Sequence, residues 1–248
     1  MIDPIKLASH TKNVISKGKK RRYYRFRPSR FYGGIATADC LGCILRCVFC
    51  WSWKKLAHPG KHGRFYSPEQ VANRLTSIAK RRNFTQVRIS GSEPTIAEEH
   101  LLDVLDWVPR DLLFILETNG ILIGYEEGYA KELARFPNLH VRVSLKGTTN
   151  EEFSRLTGAD SSGFQWQLKA LENLAKEGVS CNPSVMISFS SPENVVSLRK
   201  YLASIERDFF HFEEEELILY PSVEERLKKA NIQYRHAYYP DNIPAGQI

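Results

Sequence analysis

The feature that most constrains this sequence is a cluster of four cysteines within eleven residues, at Cys40, Cys43, Cys47 and Cys50. A fifth cysteine, Cys181, stands alone and is expected to be a core thiol. An odd cysteine count argues against a disulfide framework, and the first residues lack the apolar stretch of a secretory signal. We therefore expect a cytoplasmic protein whose clustered thiols react or bind a metal centre under reducing conditions.

The spacing of these cysteines can be interpreted in three ways. Buried free thiols would need no regular spacing, since they only fill space. Cysteine pairs that hold structural zinc usually lie about a dozen or more residues apart, whereas three residues separate the pairs here. An iron–sulfur cluster is larger than a single ion, and closely spaced thiolates on one loop can hold it. The spacing favours an iron–sulfur cluster, and the alternative from another class is a zinc-binding nucleic-acid module without catalysis.

The net charge of +7 is unevenly distributed along the 248 residues. Residues 1–31 contain ten Lys and Arg and one acidic residue, whereas residues 32–248 are nearly neutral. The sequence therefore predicts a basic N-terminal arm at 1–31 and a core domain at 32–248. Such an arm could contact the phosphates of RNA, or it could be a solvated segment or an edge strand beside the core. Apolar runs are far shorter than the roughly 20 residues that cross a bilayer, so no membrane contact is expected.

The core region alternates between strand and helix patterns in its apolar periodicity and turn residues. A helix is predicted to begin at Ser67, with Gln70 completing a capping box. Six strands separated by helices predict an α/β fold with parallel pairing and chemistry at the carboxyl ends of the strands. The predicted strands are residues 33–38, 86–90, 112–117, 139–145, 184–189 and 217–220. The acidic run at residues 213–216 precedes the last strand and is expected to face solvent.

Cys43, Cys47 and Cys50 form a C-x-x-x-C-x-x-C pattern, with Phe49 directly before the last cysteine. This pattern resembles the signature of the radical S-adenosylmethionine (SAM) superfamily. The resemblance implies a partial (β/α)6 TIM-like barrel of parallel strands, open on one side. It also implies that the three thiolates hold a [4Fe–4S] cluster with one iron open for SAM, while Phe49 lies against the adenine. Cys40 is one cysteine more than the signature requires, and we expect it not to be a ligand.

The implied activity is that of a radical SAM enzyme, an oxidoreductase. In that family, one electron from a donor such as flavodoxin or ferredoxin passes through the cluster. SAM is then cleaved to methionine and a 5′-deoxyadenosyl radical, which abstracts hydrogen from the substrate.

Two turns resemble SAM-binding segments of the same family. Gly91, Ser92, Glu93 and Pro94 resemble the Gly-Gly-Glu-Pro turn whose backbone meets the SAM amino group, with Ser92 in place of the second glycine. Asn119 lies in a Thr-Asn-Gly turn that resembles the corresponding turn of glycyl-radical-enzyme activating enzymes. Both turns follow predicted strands, as a site at the carboxyl ends requires.

Two later segments complete the expected SAM site. Ser144 and Lys146 resemble the ribose-contacting segment of the activating enzymes, and alternation puts both side chains on one face. Ser144 stands where those enzymes often carry aspartate. Tyr220 ends the last predicted strand, where the family closes over adenine and an aromatic ring would suit stacking, with a core aromatic as the alternative.

The resemblance points to two kinds of substrate. The turns at Asn119 and Lys146 favour activating enzymes, which install a radical on a partner protein. The segments from Phe49 to Trp51 and from Gly91 to Thr95 also resemble wyosine-type tRNA-modifying enzymes, and the basic arm, with its interleaved aromatic residues, would suit phosphate contacts. The chain has no spare cysteines for auxiliary clusters, so it resembles a minimal core whose open side a macromolecule fills. We expect a protein substrate, with RNA as the alternative.

Overall fold

The computed structural model describes residues 1–244. The strands are β1 (Ser16–Lys17), β2 (Lys20–Ser29), β3 (Ile35–Cys40), β4 (Arg64–Tyr66), β5 (Gln86–Ser90), β6 (Leu113–Thr118), β7 (Leu139–Leu145), β8 (Cys181–Met186) and β9 (Glu213–Glu215). The helices are α1 (Pro4–Ile15), α2 (Trp53–Leu56), α3 (Pro68–Arg82), α4 (Glu98–Trp107), α5 (Ile121–Tyr125), α6 (Tyr129–Leu133), α7 (Asn150–Thr157), α8 (Ser162–Lys176), α9 (Pro192–Ile205) and α10 (Pro221–Lys229). Within the described range, no helix combines the length and apolar character needed to span a bilayer.

These strands form one open sheet in the order β1-β2-β3-β5-β6-β7-β8-β9, with β4 paired to β2. All pairings from β3 through β5, β6, β7 and β8 to β9 are parallel, whereas β2 runs antiparallel to β3. The ends of this order, β1 and β9, do not pair with each other, so the sheet does not close. This arrangement confirms the expected parallel α/β fold with an open side.

The two faces of the sheet differ in chemistry because side chains alternate along each strand. On one face, Ala36, Val87, Phe114 and Val141 are buried in a core shared with the helices. The intervening positions carry polar and charged side chains, at Thr37, Asp39, Arg88, Ser90, Glu117, Arg142 and Ser144. Since the helices cover the apolar face, the polar face is the concave interior of the partial barrel.

Several sequence predictions coincide with the structure. Residues 86–90 and 139–145 are β5 and β7, and β3, β6 and β8 are shifted by one to three residues from their predicted bounds. The capping box of α3 is confirmed, because Ser67 Oγ accepts from the Gln70 N–H at 3.3 Å and Gln70 Oε1 accepts from the Ser67 N–H at 2.9 Å.

The last predicted strand is wrong. The edge strand is β9, which lies in the acidic run that was expected to face solvent. Residues 217–220 lie outside the sheet, where Leu217 and Leu219 pack in a separate apolar cluster with Val223 of α10. The apolar side chains of this segment are therefore buried against α10, while its backbone makes an isolated bridge at Ile218 with Tyr238.

The basic N-terminal residues are integrated into the sheet. Helix α1 begins after Asp3, whose carboxylate accepts from the N–H groups of Ile5 and Lys6. Strand β2 then pairs with β3 along residues 23–29, and Arg21 within it is only 1% exposed. Residues 16–17 and 20–29 are therefore strands of the sheet, as the edge-strand alternative describes, and Arg21, Tyr23 and Ser29 of β2 are buried.

Ion pairs with Arg142 hold the edge strand β9 against the sheet. Arg142 Nη2 lies 2.6 Å from Glu213 Oε1, and its Nη1 lies 2.9 Å from Glu215 Oε1. These contacts pass over β8, where Asn182 is opposite Arg142 and the small Ser184 is opposite Glu213. Burial raises the pKa of Glu215, but Lys146 and Arg142 outweigh this effect and lower the pKa to about 2.

The Glu215 ion pairs predict an acid-sensitive contribution to stability. The folded pKa lies below the ordinary value of 4.5, so the contribution is complete above about pH 4.5 and is lost as the pH falls towards about 2. We expect Glu215→Gln to lower the free energy of unfolding by about 2 kcal/mol at pH 7, because two buried cations lose a partner, and by less at pH 3. Urea unfolding at both pH values measures the effect. Glu225→Gln, on the exposed side of α10, is the control, and an equal loss at both pH values would contradict the prediction.

Candidate functional site

The cysteine loop, residues 40–52, crosses the carboxyl end of the sheet where β3 ends. Its first turn contains Gly42 at φ +88°, a left-handed conformation that glycine adopts without strain. The Gly42 carbonyl accepts from the Glu93 N–H at 2.9 Å. Farther along, the N–H groups of Arg46 and Val48 donate to carbonyls at the end of α7. Backbone hydrogen bonds therefore hold the loop between the turn after β5 and helix α7.

The three cysteines of the signature lie near one another. The Cys50 N–H donates to the Cys47 carbonyl at 3.0 Å, which closes a turn between these two residues. Charge on Cys47 or Cys50 would raise the pKa of Cys43, so the three thiols lie within electrostatic range of one another. Burial raises the pKa of all three, to about 12 for Cys47, where nearby Lys146 acts in the opposite direction. The thiols are therefore neutral at pH 7 until a metal displaces their protons.

The chemistry of the site fits an iron–sulfur cluster and SAM. Three thiols on one loop are the ligands that such clusters use, although among residues 1–244 no three His, Cys, Asp or Glu side chains are already grouped as ligands of a metal ion. Two buried atoms, Ser92 Oγ and Asn119 Nδ2, have no hydrogen-bond partner in the described part of the chain. Unpaired buried polar atoms are costly, so both fit a bound molecule that supplies the missing contacts. Both belong to residues that the sequence assigns to SAM binding.

Cys40 lies on the other side of the loop backbone. It is fully buried on the helix-covered face of β3, where Arg21 Nη2 donates towards its Sγ at 3.5 Å. The same guanidinium donates to the carbonyls of Leu41 at 3.2 Å and Glu93 at 2.6 Å, and also to that of Pro94. Cys40 thus belongs to a buried junction beneath the cysteine loop. This placement favours the expectation that it is not a ligand.

The turn after β5 is joined to the turn after β6 through Glu93. Its Oε1 accepts from Thr118 Oγ1 at 2.6 Å, and its Oε2 accepts from the Asn119 N–H at 2.7 Å. Gly91 has φ +97°, and a Cβ there would lie 3.1 Å from Asp39 Cβ and 3.2 Å from the Cys40 carbonyl oxygen. The Glu93 carboxylate is therefore occupied by protein donors. It holds the backbone of the turn after β6 at Asn119.

Ser144 and Lys146 meet a carboxylate that the sequence analysis did not assign to the site. Ser144 Oγ donates to Glu215 Oε1 at 3.0 Å. Lys146 Nζ donates to Ser144 Oγ and lies 3.6 Å from Glu215 Oε2. The Lys146 ammonium also lies 6.0 Å from the centre of the Phe49 ring. Strand β9 therefore supplies a carboxylate beside Ser144, the position where the activating enzymes often carry aspartate.

The aromatic ring nearest Phe49 is Phe189. Their ring centres are 5.6 Å apart, with a 31° angle between the planes. Tyr220 was expected to close over the adenine, but it precedes α10 and is 37% exposed. It therefore does not end a strand as predicted, and its contact with adenine stays a prediction. Phe189 is the last residue of a predicted strand. Because chemistry was expected at the carboxyl ends of the strands, this position could have marked Phe189 as a candidate site residue.

Helix α10 holds the cysteine loop from the other side through Arg226. Its Nε donates to the Val48 carbonyl at 2.9 Å, and its Nη2 donates to the Cys50 carbonyl at 2.5 Å. The guanidinium carbon lies 5.0 Å from the centre of the Trp53 ring. Arg21 and Arg226 both act on backbone carbonyls, which leave no pattern in a sequence, so neither could have been found from it.

Below the cysteine loop, the concave face carries a network of ion pairs. Arg88 Nη1 donates to Glu117 Oε1 at 2.5 Å, and its Nε donates to Thr37 Oγ1 at 3.0 Å. Ser90 Oγ and the Tyr32 hydroxyl also donate to Glu117, at 2.6 and 3.0 Å. Burial raises the pKa of Glu117, but Arg88 and Arg142 more than compensate, and the net effect lowers it. The interior is therefore polar and ionised, which suits a polar substrate.

Comparisons with known proteins agree with this site. The sequence model of the Radical SAM superfamily matches residues 40–202. A probable GTP 3′,8-cyclase of Thermococcus kodakarensis is 29% identical over 163 residues, which are 61% of this chain and 47% of the relative. The pyruvate formate-lyase-activating enzyme of Clostridium pasteurianum is 25% identical over 197 residues, which are 78% of this chain and 79% of the relative.

A solved structure shares the fold. Streptococcus suis SuiB bound to precursor peptide SuiA superposes with a TM-score of 0.53 at 18% identity, over 81% of this chain and 48% of that chain. The chain spans about half the length of the cyclase that it matches. Because the family match covers the cysteine loop and every strand from β5 to β8, the chain belongs to the radical SAM superfamily.

Proposed function

We propose that this chain is a cytoplasmic enzyme that uses a [4Fe–4S] cluster to cleave SAM and abstracts hydrogen from a macromolecular substrate. The observation that carries the proposal is the meeting, at one end of the sheet, of the Cys43, Cys47 and Cys50 loop with the unpartnered atoms of Ser92 and Asn119. When bound, these cofactors would supply a 5′-deoxyadenosyl radical, formed together with methionine when one electron from an external donor passes through the cluster to SAM, and this radical would remove a hydrogen atom from the substrate.

The residues of the chain would bind and orient these cofactors. Three thiolates would hold the cluster, while the backbone at Gly91 and Ser92 would face the SAM amino group. Asn119 Nδ2, held in place by Glu93, would donate to SAM. Lys146 would contribute positive charge beside the cluster, because it is the main group that lowers the pKa of Cys47.

The other side of the SAM site would be formed by the Ser144–Glu215 pair and by two rings. Ser144 and Glu215 are proposed to face the ribose hydroxyls, as acceptors held in place by Lys146. Phe49 and Phe189 would bound the adenine, with Tyr220 farther out at the start of α10.

A protein is the first candidate substrate. The pyruvate formate-lyase-activating enzyme is matched over most of its own length, so this chain is close in size to an enzyme named for acting on a protein. The open edge between β9 and β2 leaves the concave face accessible from the side. A one-electron donor such as flavodoxin or ferredoxin would dock beside the cysteine loop, where Lys54 is exposed.

RNA is the second candidate, favoured by the basic edge of the sheet. Strand β4 pairs with β2 and puts exposed Arg64 opposite Tyr23, next to the partly exposed Arg22, while exposed Lys20 lies at the start of β2. A row of cations along one edge suits a phosphate backbone. The cyclase relative, which is named for a nucleotide, points in the same direction.

The ligand assignment predicts different outcomes for the four clustered cysteines. Replacing Cys43, Cys47 or Cys50 by Ala should abolish the iron–sulfur cluster and all SAM cleavage, since each removes a thiolate ligand. Cys40→Ala should retain both, because its thiol faces Arg21. Iron and sulfide content, visible absorption and release of 5′-deoxyadenosine after anaerobic reconstitution are the measurements. Loss of the cluster in Cys40→Ala would overturn the assignment, and one tightly bound zinc without colour would support the zinc-binding alternative.

Lys146 is predicted to strengthen SAM binding. Lys146→Ala should weaken it about tenfold, the effect of one charge-assisted hydrogen bond. Lys169→Ala, on the exposed surface of α8, is the matched control and should bind SAM as the unmodified chain does. Calorimetric titration of SAM into the reconstituted protein measures both. An unchanged affinity for Lys146→Ala would remove this residue from the SAM site.

A further inference from the structure

Two arginines of β2 lie on the concave face at the open edge of the sheet. Arg25 is opposite Asp39 and Arg27 is opposite Thr37 in the register with β3. The Nε atoms of both arginines donate to the same oxygen, Asp39 Oδ2, at 2.6 and 3.0 Å. The Asp39 side chain is fully buried, whereas those of Arg25 and Arg27 are 44% and 24% exposed. The pair is therefore anchored from below and accessible from above.

The positive charge and the N–H donors of Arg25 and Arg27 are only partly paired with neighbouring groups. One carboxylate neutralises one of the two guanidinium groups, which leaves a local charge of +1. Each arginine uses only its Nε in these contacts, and within residues 1–244 no acceptor meets the η nitrogens of either one. In contrast, both Arg88 and Arg142 direct their η nitrogens to carboxylates. Among the concave-face arginines in the described residues, those with unpaired η nitrogens are therefore Arg25 and Arg27 of β2.

We propose that Arg25 and Arg27 form a binding site for a phosphoryl group of the substrate. A planar carboxylate matches the fork of a single guanidinium, whereas a phosphoryl group has three oxygens and more charge for two such groups to share. Residues two apart on a strand have side chains on one face, with Cα atoms roughly 7 Å apart, close enough for two long side chains to converge. The inference rests on the proposed function in one respect, that the substrate occupies this face, and it favours the nucleic-acid candidate over the protein candidate.

The site can be tested by direct binding, without SAM or a reductant. Inorganic pyrophosphate is titrated calorimetrically into the anaerobically reconstituted protein at low salt. Arg25→Gln and Arg27→Gln should each weaken binding about tenfold, because each removes a charge-assisted contact. Arg82→Gln, an exposed arginine at the end of α3, is the matched control and should leave the affinity unchanged. Circular dichroism verifies that each variant is folded.

Asp39→Asn gives a prediction of opposite sign, which loss of folding cannot imitate. Removing the anchoring carboxylate releases both guanidinium groups, so pyrophosphate should bind several-fold more tightly. Weaker binding by Asp39→Asn, or unchanged binding by both arginine variants, would overturn the proposal. An equal loss in Arg64→Gln would also overturn it, because it would indicate a diffuse basic edge instead of a site.

The phosphoryl group could belong to a free nucleotide or to RNA, and two further titrations distinguish these sources. GTP and a short single-stranded RNA are each titrated into the unmodified protein and into the two arginine variants. The source is the ligand that binds the unmodified protein more tightly and loses affinity in both variants. Hexaglutamate binding as tightly as pyrophosphate would contradict phosphoryl recognition and would favour an acidic protein. Pyrophosphate binding at this site in a protein that fails to cleave SAM would reject the proposed function while leaving the site intact.

Discussion

The arrangement of the site depends on one buried charged side chain, Arg21, and on the backbone carbonyls that it gathers. A guanidinium removed from water is costly unless its donors are used. Here it draws together Leu41 at the start of the cysteine loop, Glu93 and Pro94 in the turn after β5, and the thiol of Cys40. Its Nε is buried without a partner in the described residues, so its hydrogen bonds are made by the η nitrogens. Because these nitrogens are fixed in one plane, the segments cannot shift relative to one another without leaving further buried donors unpaired.

The cysteine loop is held from three sides, and each side uses a different kind of contact. Arg21 acts from below, backbone hydrogen bonds join the loop to the end of α7, and Arg226 of α10 holds the carbonyls of Val48 and Cys50. A loop with little regular secondary structure of its own therefore gains a defined shape. That matters for a metal site, because ligands that are already positioned lose less conformational entropy when they bind.

Much of the fold could be predicted from the sequence because it depends on local patterns. The apolar periods of β5 and β7, the capping box at Ser67 and the cysteine spacing each reflect short-range physics. The predictions failed where contacts between residues far apart in the sequence determine the structure. Glu215 looks like one member of a solvated acidic run until Arg142 and Lys146 are placed opposite it. Arg21 looks like part of a basic arm until β2 pairs with β3 and turns its side chain inward.

The charged residues inside the partial barrel form two groups with different roles. Glu117 is paired with Arg88, and Glu213 and Glu215 are paired with Arg142, each across neighbouring or next-nearest strands. A ligand group that competed with such a pair would have to leave one buried charge unsatisfied, at a cost of several kcal/mol. The committed pairs therefore act as a rigid polar wall, and recognition falls to the donors left over at the β2 edge. The cysteine loop lies at the carboxyl end of the strands. The distance between this loop and the arginines of β2 therefore determines which atom of a substrate bound at β2 reaches the reacting centre.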